Sequence, residues 1–381
     1  MKILYLISSL DKGGAENHLA DLVSEISREK KNKVFVLFLK GNNYWKDKLI
    51  KKGVTVQKVS LPNLLNIQFF LCLFKINYFI KTFQPDIVHA HLTSMELISA
   101  IIKFFNKKSF KLIISKHLDS FFLEGSFGQN FFLNGSFIDK FIFNHADHVI
   151  CISQQVKKYF LKKMPKMSNK MSVIYYGFDI ESFLKTRSKK KKFNLRKKNK
   201  IDSDKIVILN IARHVAQKNL EVLLKGFKLY SDTIPSKLIM VGQGPRTKNL
   251  KKIAEELKIN SKIVWIKYYE NVIDLYQIAD IFVLSSKYEG LGLVLLESMA
   301  SEVPVVASKV SAIPEVVKHN FSGVLFDYNN EKNLAASLKK INNTNLKKKI
   351  ISNAHKLILN KFSLNKMIKK TKQIYSKVLI N

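Results

Sequence analysis

The chain is short of acidic residues. Only 29 Asp and Glu stand against 65 Lys and Arg, a formal net charge of +36. Such a surface attracts polyanions, among them anionic lipid head groups, nucleotide phosphates and nucleic acid. Lysine and asparagine are abundant throughout, so charge alone does not choose among these partners. Cysteine is also scarce: Cys72 and Cys151 lie far apart, in no paired spacing. That argues against a disulfide framework or a zinc site and fits a reducing compartment. No clean transmembrane run exists. Leu61 to Phe83 comes nearest, but Asn66, Gln68, Lys75 and Asn77 interrupt it. The apolar run after Lys2 stops at Asp11-Lys12 with no small-residue cleavage pattern, so it reads as a buried first strand.

What remains is ample for folding. With 381 residues and 46% hydrophobic content, the chain suits two α/β domains. Strands read at Lys2–Ser8, Lys33–Leu39, Asp86–Ala90, Lys111–Ser115 and His148–Ile152, with helices between them. The pattern restarts after residue 200, with strands at Lys205–Ile211, Lys237–Val241, Ile263–Ile266, Ile281–Leu284 and Val303–Ala307. Strands alternating with helices imply parallel sheets covered on both faces. Between the halves, 183–204 holds Lys189-Lys190-Lys191-Lys192 and Arg196-Lys197-Lys198 and reads as a solvated basic linker. The expected division is 1–182, this linker, 205–365, and a closing helix at 366–381 packed back on the N-terminal domain.

Ligands of such sheets sit at the carboxyl ends of the strands, so polar residues just after strands are the candidates. Gly13-Gly14-Ala15-Glu16 follows the first strand and opens a helix, a place where backbone N–H groups can meet an anion. By itself it reads equally as a tight turn. Arg213 and Lys218 follow Ile206–Ile211 and offer a fork and a point charge to phosphate. Glu289-Gly290-Leu291-Gly292 precedes an apolar helix that carries Glu297. A carboxylate there needs a donor partner, and a sugar or ribose hydroxyl would serve. His89 and His91 share one face of a strand but lack a third ligand for a metal. His117 follows another strand.

Taken together, these segments resemble the retaining GT-B glycosyltransferases of family 4, group 1, over nearly the whole chain. Val88-His89-Ala90-His91, Ser115-Lys116-His117, Ile150–Ser153 and Tyr176–Asp179 carry the N-terminal likeness. Arg213 through Gln217-Lys218-Asn219, the turn Val241–Pro245, the Glu289-x7-Glu297 spacing, Ile313–Val317 and Gly323–Phe326 carry the C-terminal one. The resemblance implies an α/β fold of two doubly wound domains facing across a cleft. It implies transfer of a sugar from a nucleotide diphosphate sugar, UDP- before GDP-, to a glycan or polyprenyl-linked acceptor in bacterial surface polysaccharide or lipopolysaccharide assembly.

Residue by residue, the resemblance implies that Arg213 and Lys218 bind the diphosphate and stabilise its departure. Glu297 would hold the ribose, and Glu289 the donor sugar. His117 would stand near the reacting centre. Gly13 and Gly14 would admit the phosphates from the N-terminal side, and Gly242, Gly290, Leu291 and Gly292 would complete the donor site. No metal or other cofactor is expected. Two departures stand out: Ala212 where the family shows glycine, and Ser311-Ala312 where it shows one or two glycines.

The Phe-rich segment Phe121–Phe143, the Leu61–Phe83 stretch and the positive charge suggest an anionic membrane surface as partner, and a cytoplasmic protein peripheral on the inner face of the cell membrane. A core helix would read the same over Leu61–Phe83. No nucleic-acid-binding motif is present. The rival readings are a nucleotide-sugar 2-epimerase of the same fold and a non-catalytic polyanion binder. Product analysis without acceptor separates the first, and indifference to changes at Glu289 or Arg213 marks the second.

Overall fold

The computed structural model describes residues 1–11, 13–41, 44–59, 68–106, 110–118, 135–184, 189–198, 201–202, 204–269 and 271–380. The chain divides into two units: Met1–Phe178 with Leu364–Asn381, and Asp179–Ser363.

Unit 1 runs β1 (Lys2–Ser9), α1 (Gly14–Ser27), β2 (Lys33–Lys40), α2 (Tyr44–Lys51), β3 (Thr55–Lys58), α3 (Gln68–Phe83) and β4 (Ile87–His91). It continues α4 (Thr93–Phe105), β5 (Lys111–Lys116), α5 (Gly135–His145), β6 (His148–Cys151), α6 (Gln154–Lys163) and β7 (Met171–Val173). The sheet order is β3-β2-β1-β4-β5-β6-β7, all parallel. Every residue of β4 is buried, as expected of a central strand covered on both faces. Ile3, Tyr5 and Ile7 face a core shared with Leu19, Val23 and Ile26 of α1 and with Tyr375 and Val378 near the C-terminus.

Unit 2 opens with α7 (Ile180–Leu184) and α8 (Lys189–Lys198). It then alternates β8 (Ile206–Ile211), α9 (Leu220–Ser231), β9 (Ser236–Val241), α10 (Thr247–Glu256), β10 (Ile263–Ile266), α11 (Val272–Ile278), β11 (Ile281–Leu284) and α12 (Leu293–Ala300). After β12 (Val305–Ser308), α13 (Ile313–Val316) and β13 (Val324–Phe326) come α14 (Glu331–Ile341) and α15 (Thr344–Lys361). The final helix, α16 (Leu364–Ile380), belongs to unit 1. The second sheet has the order β10-β9-β8-β11-β12-β13, again parallel.

The segment 183–204 differs from the solvated linker expected of it. Lys189–Lys198 is helical, and Arg196 is buried, donating from Nε and Nη2 to the Ile278 carbonyl at 3.1 and 2.9 Å. Its Nη2 also meets Asp280 at 2.5 Å, and Lys192 reaches the same carboxylate at 2.8 Å. A charge run seals onto the amino ends of β8 and β11 here because Asp280 offers two acceptor oxygens. Residues 121–134 of the Phe-rich segment and 61–67 of the apolar stretch lie outside the described residues.

Candidate active site

The carboxyl end of β8 gives way to Ala212 and Arg213, then to a single 3₁₀ turn at Ala216–Lys218. Asn219, in a left-handed conformation at φ +49°, ends that turn and starts α9. Its side chain donates to the Tyr328 carbonyl at 2.7 Å, which fixes the entry to the helix. The Lys218 ammonium is thereby aimed at the loop after β11. It meets Glu289 Oε1 at 2.5 Å, and the Ser286 hydroxyl donates to the same oxygen at 2.5 Å. The loop is tied back on both sides of that pair. Ser285 Oγ donates to the Lys218 carbonyl at 2.8 Å, and Gln217 Nε2 to the Tyr288 carbonyl at 2.9 Å. Two residues chosen 71 positions apart in sequence are therefore one ion pair, with the Glu289 side chain only 9% exposed.

Arg213 lies exposed at the head of this group. Its backbone position depends on Gly242, which follows β9 at φ +131°. A Cβ on Gly242 would stand 2.0 Å from the Ala212 carbonyl oxygen, so the two strand ends touch only because this residue has no side chain. Gly244 approaches the His214 carbonyl in the same way, its Cβ position being 2.5 Å from that oxygen. Beside these turns opens a cavity of about 620 Å³, lined by Gly242, Gln243, Gly244, Lys251, Trp265 and Lys267 among others.

Glycine at φ +85° in position 292 breaks the chain into α12. One turn in, Glu297 accepts from the Tyr276 hydroxyl at 2.8 Å. Burial raises the Glu297 carboxyl above its usual range, although that hydrogen bond lowers it. The N-termini of α9 and α12 thus open at the same strand ends as Arg213 and Lys218, and helix N-termini favour anions. Ser311 takes φ +42°, the left-handed region where glycine is unstrained, and this explains why glycine is the expected residue there.

In unit 1, Gly13 and Gly14 cap and open α1 after β1. Glu16 accepts from Ser9 Oγ at 2.5 Å and closes the turn. His117 is buried at the end of β5 with both ring nitrogens engaged: Nε2 with His91 Nδ1 at 3.0 Å and Nδ1 with the Tyr176 hydroxyl. The Tyr176 ring stacks on His18 at 4.4 Å between centroids. His89 sits in a second chain, between the Tyr375 hydroxyl at 2.7 Å and Ser115 Oγ at 2.8 Å. Burial, first among the causes, depresses all these imidazoles, His18 and His89 to about 3 and His91 and His117 well below the ordinary value. They are neutral rings at pH 7. His89 and His91, a conceivable metal pair from sequence, serve as hydrogen-bond partners. Among the described residues no group of three or more His, Cys, Asp or Glu side chains is placed to hold a metal ion.

Beside His117, sequence reasoning missed a buried triad. Lys116 meets Glu96 at 2.6 Å and Asp139 at 3.0 Å. Burial alone would lower the ammonium, but the two carboxylates outweigh it and hold it above its ordinary value. A lone glutamate in the apolar helix α4 was the available signal, the same one that pointed to Glu297. An Asp-x-Asp tripeptide occurs at 202–204. It precedes β8 at the strand's amino end, away from the groups above, and Asp202 pairs with Lys205.

With this geometry in view, the family can be stated. A model described as Glycosyltransferase Family 4 matches residues 12–182, and one described as Glycosyl transferases group 1 matches residues 191–357. The chain belongs to the family 4, group 1 glycosyltransferases. It is similar to the O-antigen biosynthesis glycosyltransferase WclY of Escherichia coli, 23% identical with 99% of this chain and 98% of that one covered. It is also similar to the E. coli UDP-Gal:alpha-D-GlcNAc-diphosphoundecaprenol alpha-1,3-galactosyltransferase, 25% identical over 61% of each. The matched stretch spans 59% of one curated relative and 95% of another. In fold, the chain matches Anabaena HepE, solved with UDP-glucose, at a TM-score of 0.85 and 21% identity over 99% of this chain and all of that one. Two parallel α/β units of this kind are the GT-B architecture. This glycosyltransferase thus has relatives in bacterial polysaccharide and lipopolysaccharide biosynthesis.

Proposed function

We propose that this glycosyltransferase transfers a sugar from a UDP-sugar to a lipid-linked or glycan acceptor, with retention of anomeric configuration and without a metal. The observation that carries the reading is the Arg213, Lys218 and Glu289 group at the strand ends of unit 2. As a nucleoside diphosphate leaves, charge develops on its β-phosphate. Arg213, Lys218 and the N-termini of α9 and α12 are fixed positive groups suited to receive it. These groups supply the charge that a divalent cation supplies elsewhere. Glu289, already desolvated beside Lys218, would exchange part of its pairing for hydroxyls of the donor sugar, and Glu297 would accept from the ribose. The cavity around Trp265 would seat the base. No carboxylate nucleophile is apparent among the residues assigned here, so a same-face displacement is the working mechanism.

The UDP preference is supported by the galactosyltransferase relative, whose name specifies UDP-Gal and a diphosphoundecaprenol carrier, and by HepE, which was solved with UDP-glucose. The buried free thiols Cys72 and Cys151 support a reducing, cytoplasmic compartment. The test is product analysis by NMR. UDP-sugars are incubated with and without a polyprenyl diphosphate-linked sugar. The expected result is transfer only with acceptor, the new linkage keeping the donor's anomeric configuration. An inverted linkage would contradict the retaining mechanism, and an epimerised sugar without acceptor would contradict the transferase.

A further inference from the structure

In unit 1, β3 to β4 and the crossovers that follow all run the same way across the sheet, so α3, α4, α5 and α6 line one face. Their contacts agree. Asn106 Nδ2, just after α4, donates to Asn77 Oδ1 of α3 at 3.2 Å. Phe104 of α4 meets Phe141 of α5, and Phe143 of α5 meets Phe160 of α6. On α3, Cys72, Ile76 and Ile80 are buried, and Phe79 and Phe83 pack on Phe35 of β2. Phe70, Phe74 and Tyr78, spaced one turn apart, are 59%, 68% and 73% exposed. Phe105 and Phe137 add rings that are 75% and 62% exposed on the neighbouring helices. Large aromatic side chains in water, gathered on one surface, mark an interaction site.

The charges on this layer have one sign. Lys75, Lys81, Lys140, Lys158 and Lys162 are exposed. Within the helices α3 to α6 the carboxylates are Glu96 and Asp139, both 1% exposed and both turned inward onto Lys116. The described loops between them add Asp86, which accepts from the Lys2 backbone N–H, and Asp147, which pairs with Lys103. The opposite layer is different, because α1 and the turn after it keep Glu25 and Glu29 near the surface, paired with Arg28 and Lys372. The one-signed face is therefore more than an echo of composition.

We propose that the outer face of the α3–α6 layer docks on an anionic lipid bilayer. The aromatic rings would enter the head-group region, where amphipathic rings are favoured, and the lysines would meet the lipid phosphates. A second copy of the chain is a poor occupant, since two lysine faces repel. A soluble polyanion would engage the lysines and leave the rings without a role.

Flotation of the full chain on a density gradient tests this, using vesicles of phosphatidylcholine alone and with phosphatidylglycerol. No donor or acceptor is present, so the outcome is independent of the transferase reading. Wild type is expected to float with the anionic vesicles and not with the neutral ones. The triple change Phe70→Ser, Phe74→Ser and Tyr78→Ser should weaken vesicle affinity roughly tenfold or more while leaving the melting temperature unchanged. Should it melt early, Lys75→Glu with Lys81→Glu and Lys140→Glu carries the same test. Wild type that stays at the bottom with anionic vesicles at low salt overturns the proposal. So does a folded serine variant that floats as wild type does, the result expected if lysines alone captured polyanions.

Discussion

At the scale of single residues, the two glycine turns differ in kind. Gly242 is held at positive φ with its missing Cβ against a carbonyl, whereas Gly14 has open space where a Cβ would go and no positive φ. Gly242→Ala should therefore cost about 2 kcal/mol or more in urea unfolding and displace Arg213. Gly14→Ala at the start of α1 should leave stability within about 0.5 kcal/mol, so any activity it loses reports a ligand contact. Equal destabilisation by both changes would contradict this account of the turns. Arg213, Lys218 and Glu289 were legible in the sequence because each is a polar residue placed in the loop beyond a strand, and Glu297 because it is a carboxylate in an apolar helix. That His18 stacks on Tyr176 was not, since neither spacing nor charge distinguishes a pair formed by α1 and the chain after β7. That Lys218 and Glu289 are bonded to each other, rather than separately open to a ligand, is also a fact only of the folded chain.

At the scale of elements, long periodic segments were readable and short edge elements were not. Thr55–Lys58 buries only Val56 and so carries no alternation to detect. Met171–Val173 and Val324–Phe326 are three residues each, too short for a pattern. Helix α8 was hidden by its own composition: a run of lysine looks solvated whether or not Arg196 reaches a buried carbonyl. For α3 the core-helix reading describes one side, and the other side is the one proposed above to meet a membrane. Its Cys72–Ile76–Ile80 seam packs on the sheet, and its Phe70–Phe74–Tyr78 stripe faces out. Among the described residues no helix is long and apolar enough to cross a membrane.

At the scale of the whole molecule, the buried histidines set the acid limit. His18 and His89 titrate near 3 in the fold against 6.5 when free, and His91 and His117 are lowered as well. Between those values the unfolded chain binds more protons than the folded one, so stability rises with pH across that window. It is full above about pH 6.5 and is lost as pH falls towards 3, by up to about 1.4 kcal/mol per pH unit for each histidine. The raised carboxyls of Glu96 and Glu297 act in the opposite sense above about pH 4.5, their unfolded value, and so offset part of the loss in the upper part of that window. Thermal melts should show the midpoint declining from just below pH 7, well above the range where surface carboxylates titrate. A midpoint that is flat from pH 7 to pH 5 would mean that these rings are not buried as described.

The central claim is that Arg213 and Lys218 form the diphosphate seat of a sugar-nucleotide donor. Its most direct test is calorimetry of UDP- and GDP-sugars on the wild type, Arg213→Ala and Lys218→Ala. The account predicts that the wild type binds a UDP-sugar with micromolar affinity, and that each variant, melting as wild type does, binds it roughly tenfold or more weakly. Undiminished binding in both variants would contradict it, and so would a wild type that binds no sugar nucleotide.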